Sequence, residues 1–286
     1  MDFALTPEQE ELTRTLRAFA KKELAPRSGQ WDKSGEFPWD AWRKMGELGL
    51  LGLRTPPTYG GQESDLLTMG IASEEIARGD FSCTYGIQLA GLAGEILGRN
   101  GTEEIKTRWL PPTARGETVI ALALTEPGVG SDAANLACRA ERDGDGYVIT
   151  GEKSGISLGL IAQAAIVFAR TDPKGRARGV TAFLVPLDGP GVAKSPLRDM
   201  GSHAVGRAVH EGIRDGEVVG APARRGHHSP VPAPARALRL HRRVAVRAAA
   251  ARRHRPGDRR RHPGNYEAGH RPGNPGPRIS ALLTVV

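Results

Sequence analysis

The residues of this chain best suited to chemistry lie in a polar loop that follows an apolar run. The run covers residues 118–124, and the loop Thr125-Glu126-Pro127-Gly128-Val129-Gly130-Ser131-Asp132 comes directly after it. Its two glycines permit backbone angles and close approaches that a Cβ would forbid. Its hydroxyl groups and N–H groups could face a flat polar ligand. A solvent-exposed Pro-Gly turn explains the same residues equally well.

The loop resembles the first signature of the acyl-CoA dehydrogenase family, Ser/Thr-Glu-Pro-x-x-Gly-Ser-Asp preceded by a small residue and Leu or Met. The resemblance implies a flavoprotein that oxidises the α and β carbons of an acyl-CoA thioester, with FAD as its cofactor. It also implies the residues of this stretch that contact the cofactor, which are Leu122, Leu124, Thr125, Gly130 and Ser131. Ser131 would in addition contact the acyl-CoA substrate.

A second stretch, Gly151-Glu152-Lys153-Ser154-Gly155-Ile156-Ser157, supports the same resemblance. The family commonly has Gly-x-Lys-x-Trp-Ile-Thr here, which implies flavin contacts from Gly155, Ile156 and Ser157. Gly155 replaces the tryptophan and cannot stack on a ring. Small residues at this point resemble the subgroup that acts on alicyclic substrates such as cyclohexanecarboxyl-CoA, so we expect a bulky or cyclic acyl group. An ordinary strand end is the alternative interpretation.

Composition excludes several classes of protein. The 286 residues suffice for one large domain or two ordinary ones. Two cysteines, Cys83 and Cys138, indicate neither a disulfide framework nor a metal site, and the histidines show no metal-ligand spacing. The beginning of the sequence has no long apolar run, so we expect no secretory signal, no membrane span and a cytoplasmic location.

Residues 1–116 are predicted to form an all-helical domain. Thr6-Pro7-Glu8-Gln9 is typical of a helix start with a capping box, and Pro26 is expected to end that helix. Periodic apolar residues and helix breakers predict four further helices, which begin at Pro38, cover residues 65–78 and 81–99, and run from Thr102 to Leu110.

Residues 117–207 are predicted to form an antiparallel, barrel-like β domain, which makes the fold class α+β. The apolar runs that predict strands cover residues 118–124, 136–142, 147–153, 164–170 and 179–187. The turn at residues 143–146 predicts a hairpin. The resemblance implies that this domain binds the flavin and the acyl-CoA. Residues 200–207 resemble the turn that precedes the next strands in the family.

The composition changes near residue 207. Residues 208–286 are rich in Arg, Pro, Gly, Ala and His and contain no Lys or Phe. Large apolar residues are too few to offset the entropy of ordering, so this tail is predicted to be disordered. A GC-rich gene read in the wrong frame has this composition, so we favour a frameshift at residues 207–209 over an evolved tail that binds nucleic acid. We interpret Tyr266-Glu267 as a chance likeness to the family's catalytic stretch.

The main hypothesis is therefore an FAD-dependent acyl-CoA dehydrogenase that is truncated and inactive as written. The resemblance implies that the family's C-terminal helical bundle and its catalytic glutamate are missing, so no catalytic residue is assigned. It also implies an electron-transfer flavoprotein as partner and a homotetramer, whose formation normally requires the bundle. Two alternatives stay open: a non-catalytic module that binds flavin or CoA, and a protein that binds nucleic acid through its basic tail.

Overall fold

Helices occupy the first part of the chain and strands follow, which confirms the α+β class. The computed structural model describes residues 4–144, 146–197, 206–213 and 217–218. The helices are α1 (Pro7–Phe19), α2 (Ala25–Ser34), α3 (Trp39–Glu47), α4 (Leu66–Ala77), α5 (Thr84–Asn100) and α6 (Glu103–Ala114). The strands are β1 (Ile120–Ala123), β2 (Arg139–Asp143), β3 (Gly146–Ile156), β4 (Ala164–Arg170), β5 (Val180–Pro186), β6 (Val192–Pro196), β7 (Gly206–Ile213) and β8 (Glu217–Val218).

The start of α1 follows from its sequence. The Thr6 hydroxyl accepts the N–H of Gln9 at 3.2 Å, and the Gln9 side chain accepts the N–H of Thr6 at 3.1 Å, which completes the predicted capping box. Pro26, however, does not end this run. A π-helical turn, Ala20–Leu24, joins α1 to α2, and Pro26 lies in the first turn of α2. Proline is tolerated there because the N–H groups of a first turn need no helical partner.

The predicted end of α6 at Leu110 is also wrong, since the helix continues through Pro111 and Pro112 to Ala114. The Thr113 hydroxyl donates to the carbonyl oxygen of Trp109 at 2.8 Å, which satisfies one acceptor of this turn. Trp109 and Leu110 are buried against the sheet. This packing offsets the hydrogen bonds that the two prolines cannot make.

The sheet is mixed rather than wholly antiparallel. Its strands follow the order β6-β7-β3-β2-β4-β5-β8, with β1 paired to β4. The pairing is antiparallel along most of this path, as predicted, but β1 runs parallel to β4 and β2 meets β4 in parallel. The difference arises because β1 does not form a hairpin with β2. Both strands run parallel to β4 along the edge opposite β5, β1 at residues 164–167 and β2 at Arg170, and the polar loop lies between them. The predicted β2–β3 hairpin is present, and Gly144 in its turn has φ +60°.

The predicted domain boundary at residue 207 falls inside β7. This strand pairs with both β3 and β6, and β8 pairs with β5. The prediction of disorder is therefore wrong for residues 208–213 and 217–218. Backbone N–H and C=O groups along β3 and β6 can pair with a neighbouring strand of almost any composition. The rest of the predicted tail and residues 200–205 of the predicted turn lie outside the described residues.

The helical layer packs on one face of the sheet through α5 and α6. A buried cluster joins them to β1, β4 and β5, and its members include Leu97, Leu110, Ile120, Ile166 and Leu184. Gln163 holds the residue before β1 through two hydrogen bonds. Its side-chain oxygen accepts the backbone N–H of Val119 at 2.8 Å, and its backbone N–H donates to the carbonyl oxygen of Val119 at 3.1 Å. The position of β1, and of the loop that leaves it, is therefore set by both layers.

The described helices include none that is long and apolar enough to cross a membrane. Within the same part of the chain, no group of three or more His, Cys, Asp and Glu residues is placed to hold a metal ion.

Two helical glycines offer a matched test of this packing. A Cβ on Gly46 in α3 would lie 2.2 Å from the carbonyl oxygen of Arg115, whereas a Cβ on Gly70 in α4 meets no atom within 4 Å. We expect Gly46→Ala to lower the free energy of unfolding by roughly 1–3 kcal/mol through overpacking. Gly70→Ala should raise it by about 0.5–1 kcal/mol through helix propensity and unfolded-state entropy.

Urea unfolding followed by circular dichroism measures both effects. Equal shifts of the two midpoints would contradict the close approach of α3 to the end of α6.

Candidate functional site

The two sequence stretches that resemble the family motifs meet where β1 and β3 end. The N–H of Ser154, near the end of β3, donates to the carbonyl oxygen of Thr125, just after β1, at 2.9 Å. Glu126 and Val129 exchange two backbone hydrogen bonds of 2.9 and 3.1 Å. These bonds reverse the chain at its Pro-Gly turn, so that Gly130 returns beside Thr125. Both stretches thus contribute to a single surface.

The predicted site residues divide into an exposed group and a packed group. Thr125, Gly130, Ser131 and Gly155 are exposed, and Leu124 and Ser157 are half-buried. Leu122 packs against the cluster between the helices and the sheet, and Ile156 is only 2% exposed in the main core. The structure therefore brings the hydroxyl and glycine positions to the surface of the loop region, while the side chains of Leu122 and Ile156 serve the fold.

Gly155 occupies a bulge in β3. Lys153 pairs with Ala208, and Ile156 pairs with Gly206. Between these two pairs, β3 contains one more residue than β7. Gly155 has φ +63°, and a Cβ built on it would meet no atom within 4 Å. Its backbone angle, rather than lack of space, favours glycine. The bulge turns Ile156 into the core and leaves open space over Gly155, where the related family motif carries tryptophan.

A buried ion pair ties the loop to β3. Lys153 Nζ lies 2.8 Å from Glu126 Oε1 and 2.9 Å from the carbonyl oxygen of Leu124, and the Lys153 side chain has no exposed surface. The Glu126 carboxylate also accepts the N–H groups of Ala137 at 2.6 Å and Cys138 at 2.9 Å. A charge buried in this way is tolerated only when it is paired and hydrogen-bonded. One carboxylate therefore ties the start of the polar loop to β3 and to the segment that leads into β2.

The same contacts set the ionisation of Glu126. Burial by itself raises the pKa of Glu126, but hydrogen bonds from Lys153, Ala137 and Cys138 and the charge of Lys153 outweigh it, so the pKa lies below its usual value. Glu126 is thus a carboxylate at neutral pH whose oxygens are already held by three donors. A general base must instead reach a substrate proton, which excludes Glu126 from that role.

Sequence reasoning did not identify Glu126 and Lys153 as site-forming residues. Alternation along β3 was the available signal, because Lys153 lies on the same face as the fully buried Ile149. A lysine on a buried face requires an acidic partner. The two residues are 27 positions apart, however, and no local pattern predicts that they meet.

An apolar cavity of about 280 Å³ lies beside the loop. Its lining comes from Leu124 after β1, from the short turn Ala133–Asn135, from β4 and β5, and from the turn Arg176–Gly179. The guanidinium of Arg170 joins the two turns, since it donates to the carbonyl oxygens of Ala134 at 2.6 Å and Arg176 at 3.3 Å. The cavity thus lies next to Thr125 in the chain, and the side chain of Arg170 holds the two turns that form its walls.

The two cysteines are buried and unsuited to nucleophilic chemistry. Burial raises the pKa of Cys138 to about 11, and it raises the pKa of Cys83 further above its usual value. Neither residue is a thiolate at neutral pH, and the thiolate is the reactive form.

Replacing Lys153 tests the ion pair. We expect Lys153→Met to lower the free energy of unfolding by roughly 3–5 kcal/mol, because it leaves the buried Glu126 charge unpaired. The double variant Glu126→Gln/Lys153→Met should recover part of this loss, since a neutral amide still accepts a backbone N–H. Lys174→Met, at an exposed lysine, should stay within about 0.5 kcal/mol of the wild type. A Lys153→Met variant as stable as the Lys174→Met control would refute this account.

The pH dependence of stability follows from the lowered pKa of Glu126. In the wild type, ionised Glu126 contributes stability above the pKa of the unfolded carboxyl, about 4.3, and this contribution is lost as the pH falls through the lower folded pKa. In Lys153→Met, burial opposes ionisation, so protonation relieves the unpaired charge. We expect the stability difference between the two proteins to shrink between pH 7 and pH 3 in urea titrations. A constant difference would exclude the charge of Glu126 as its source.

Comparisons with known proteins agree with this geometry. The family models for the acyl-CoA dehydrogenase N-terminal domain and middle domain match residues 6–117 and 121–210. The probable acyl-CoA dehydrogenase YngJ of Bacillus subtilis is 39% identical over 205 residues, which are 70% of this chain and 54% of that protein. The chain therefore spans about half the length of this relative.

Solved structures that resemble this chain include members of the same family. A glutaryl-coenzyme A dehydrogenase in complex with glutaryl-CoA matches with a TM-score of 0.72 and 32% identity, over 77% of this chain and 58% of that one. A chain from a study of the electron transferring flavoprotein of Acidaminococcus fermentans matches with a TM-score of 0.71 and 30% identity, over 77% and 60% of the two chains. The described fold, the joined motifs and these matches lead to one conclusion: the chain belongs to the acyl-CoA dehydrogenase family, of which it carries the N-terminal and middle domains.

Proposed function

We propose that this chain provides the flavin-contacting and acyl-CoA-contacting surface of an FAD-dependent acyl-CoA dehydrogenase. One observation carries the proposal: the hydrogen bond between Ser154 and Thr125 joins the ends of β1 and β3 into one surface with accessible hydroxyl groups. Among the described residues, the hydroxyls of Thr125, Ser131 and Ser157 have no hydrogen-bond partner. They are thus free to bind a ligand.

The surface fits a flat ring system. Cβ atoms at Gly128, Gly130 and Gly155 would meet no atom within 4 Å, so a ring can approach the backbone at all three positions. Thr125 and Ser157 would bind the polar edge of the FAD ring, with Gly130 allowing close approach of the loop. When bound, FAD supplies the acceptor for the two electrons removed from the acyl chain.

The apolar cavity fits the arm of the acyl-CoA. Its lining includes Leu124, which precedes the proposed flavin-binding residue Thr125, and Ala133, which follows the proposed substrate-binding residue Ser131 by two positions. The similar glutaryl-coenzyme A dehydrogenase structure, a complex with glutaryl-CoA, supports this substrate class. The open space over Gly155 leads us to propose a bulky or cyclic acyl group, as in the alicyclic subgroup.

Proton abstraction from the α carbon requires a carboxylate that we place outside the matched residues 6–210. Of the two acids in the polar loop, Glu126 is held by Lys153, and Asp132 accepts a hydrogen bond from Asn135. We propose that a frameshift close to residue 207, within or just before β7, replaced the segment that carries the base. The change of composition there supports this proposal. Resequencing of the surrounding codons, with an intact mass compared with the calculated 30.5 kDa, tests it.

The remaining elements of the proposal follow from family membership. The active form would pass electrons to an electron-transfer flavoprotein and would act as a homotetramer. Its cytoplasmic location is a separate proposal, which family membership does not supply. Exposed apolar side chains on α4, such as Leu66 and Leu67 at 71% and 57% exposure, support burial by a further segment in that form. A non-catalytic flavin-binding module is the second candidate, favoured by the lack of an available base at the loop.

Flavin loading and turnover distinguish these functions. We expect the full chain purified with added FAD to show the visible spectrum of bound oxidised flavin. It should not reduce an artificial dye with butyryl-CoA, glutaryl-CoA or cyclohexanecarboxyl-CoA. Turnover would prove that the chain contains its own base, and a colourless protein would contradict the proposed flavin site.

Single hydroxyl deletions test the binding residues. Ser157→Ala should weaken FAD binding by roughly threefold to tenfold, the equivalent of one hydrogen bond. Ser195→Ala, which removes an exposed hydroxyl from β6, serves as the control and should bind FAD like the wild type. Fluorescence quenching of added FAD measures the affinities. Identical affinities for both variants would exclude Ser157 from the flavin site.

A further inference from the structure

The turn that follows β3 contains a left-handed leucine, Leu158. The N–H of Gly159 donates to the carbonyl oxygen of Ile156 at 3.1 Å, so Ser157 and Leu158 are the two central residues of a four-residue turn. Leu158 has φ +59°. A positive φ at this position is typical of a type II turn, which favours glycine or asparagine there. Leucine is therefore an uncommon residue for this backbone conformation.

The buried side chain of Leu158 holds the turn in this conformation. Leu158 is only 1% exposed and belongs to the main core cluster, together with Ile156 and Ala162. Its carbonyl oxygen accepts the N–H groups of Ile161 at 3.1 Å and Ala162 at 2.9 Å. Burial of a leucine side chain offsets the cost of one left-handed residue. The turn thus has an apolar anchor in spite of its unfavourable backbone angle.

A second contact holds the same turn on its solvent side. Lys194, an exposed residue of β6, donates from Nζ to the carbonyl oxygen of Leu160 at 3.2 Å. Leu158 and Lys194 therefore restrain the segment between β3 and β4 from opposite sides.

Ser157 lies between two left-handed residues. Gly155 precedes it by two positions in the bulge of β3, and Leu158 follows it directly. The Ser157 side chain is half-buried, and its hydroxyl has no hydrogen-bond partner in the part of the chain that the structure describes. The backbone on either side consequently sets the direction of this side chain. Strained backbone conformations cluster at ligand sites, where they preorganise a binding group.

We propose that Leu158 is a positioning residue that holds the Ser157 hydroxyl at the flavin-contacting surface. Its side chain lies in the core, so it acts only through Ser157. The inference rests on the proposed function, because it requires Ser157 to contact FAD. It adds the reason why a large apolar residue stands where turn chemistry favours glycine.

A double-mutant cycle in the full chain, with FAD as the probe, tests this role. Fluorescence quenching measures FAD affinity for the wild type, Leu158→Ala, Ser157→Ala and the double variant Ser157→Ala/Leu158→Ala. We expect Leu158→Ala to weaken FAD binding by roughly threefold to tenfold, because the released turn no longer presents the hydroxyl. The double variant should bind FAD no more weakly than Ser157→Ala alone. Leu158→Met keeps a large apolar anchor and should retain most of the affinity.

Two controls separate positioning from packing. Leu16→Ala removes a fully buried leucine from α1, so it should lower the melting temperature and leave FAD affinity unchanged. Thermal melting without FAD tests the backbone angle. Leu158→Gly should melt at a higher temperature than Leu158→Ala, since glycine adopts a positive φ without strain, whereas the opposite order is expected at an ordinary position. If Leu158→Ala does not fold, Leu158→Gly replaces it in the cycle.

The outcomes distinguish this inference from the proposed function. If the change at Leu158 leaves FAD affinity intact, or weakens it equally with and without the Ser157 hydroxyl, Leu158 serves packing alone. The inference is then wrong, although the flavin site stands. A Leu158→Ala variant that melts above Leu158→Gly would also overturn it, because no strained angle would then exist. A wild type that binds no FAD would overturn the proposed function and the inference together.

Discussion

The contact between the Lys153 ammonium and the Glu126 carboxylate is the constraint on which the candidate site depends. Both groups are buried, and the carboxylate also accepts hydrogen bonds from two backbone N–H groups in the segment just before β2. The ammonium in turn binds the carbonyl oxygen of Leu124. Because a buried charge without these partners would be costly, the loop has one favoured position relative to β3. Thr125 and Ser157 gain their relative placement from this buried pair.

The helical layer completes this arrangement from the other side. Helices α5 and α6 cover the part of the sheet around Ile120 and Ile166, and the same sheet face continues past them to Phe168. The apolar cavity forms where this cover ends, and the two short turns held by Arg170 close its sides. The exposed surface of the polar loop and the apolar cavity therefore lie next to each other. Neither layer could create this pairing alone.

The region that matches the family models ends at residue 210. Within it, both acids of the polar loop accept intramolecular hydrogen bonds, Glu126 from Lys153 and Asp132 from Asn135. The main-chain pairing of β7 extends the middle domain beyond the residue at which side-chain composition changes. Backbone hydrogen bonding and side-chain composition thus mark the end of this domain at different places.

The sequence by itself determined the α+β class, the capped start of α1, the β2–β3 hairpin and the two motifs of the site, because each of these depends on local spacing and turn chemistry. It did not determine that α6 continues through Pro111, that β1 lies parallel to β4, or that β7 continues past residue 207. Packing against the sheet and pairing with distant strands decided those features. The sequence shows that Gly155 departs from the motif. Only the structure explains the glycine, because this residue has a left-handed backbone conformation in a β-bulge. The Lys153–Glu126 pair required tertiary structure for the same reason, since burial and long-range contact have no local signature.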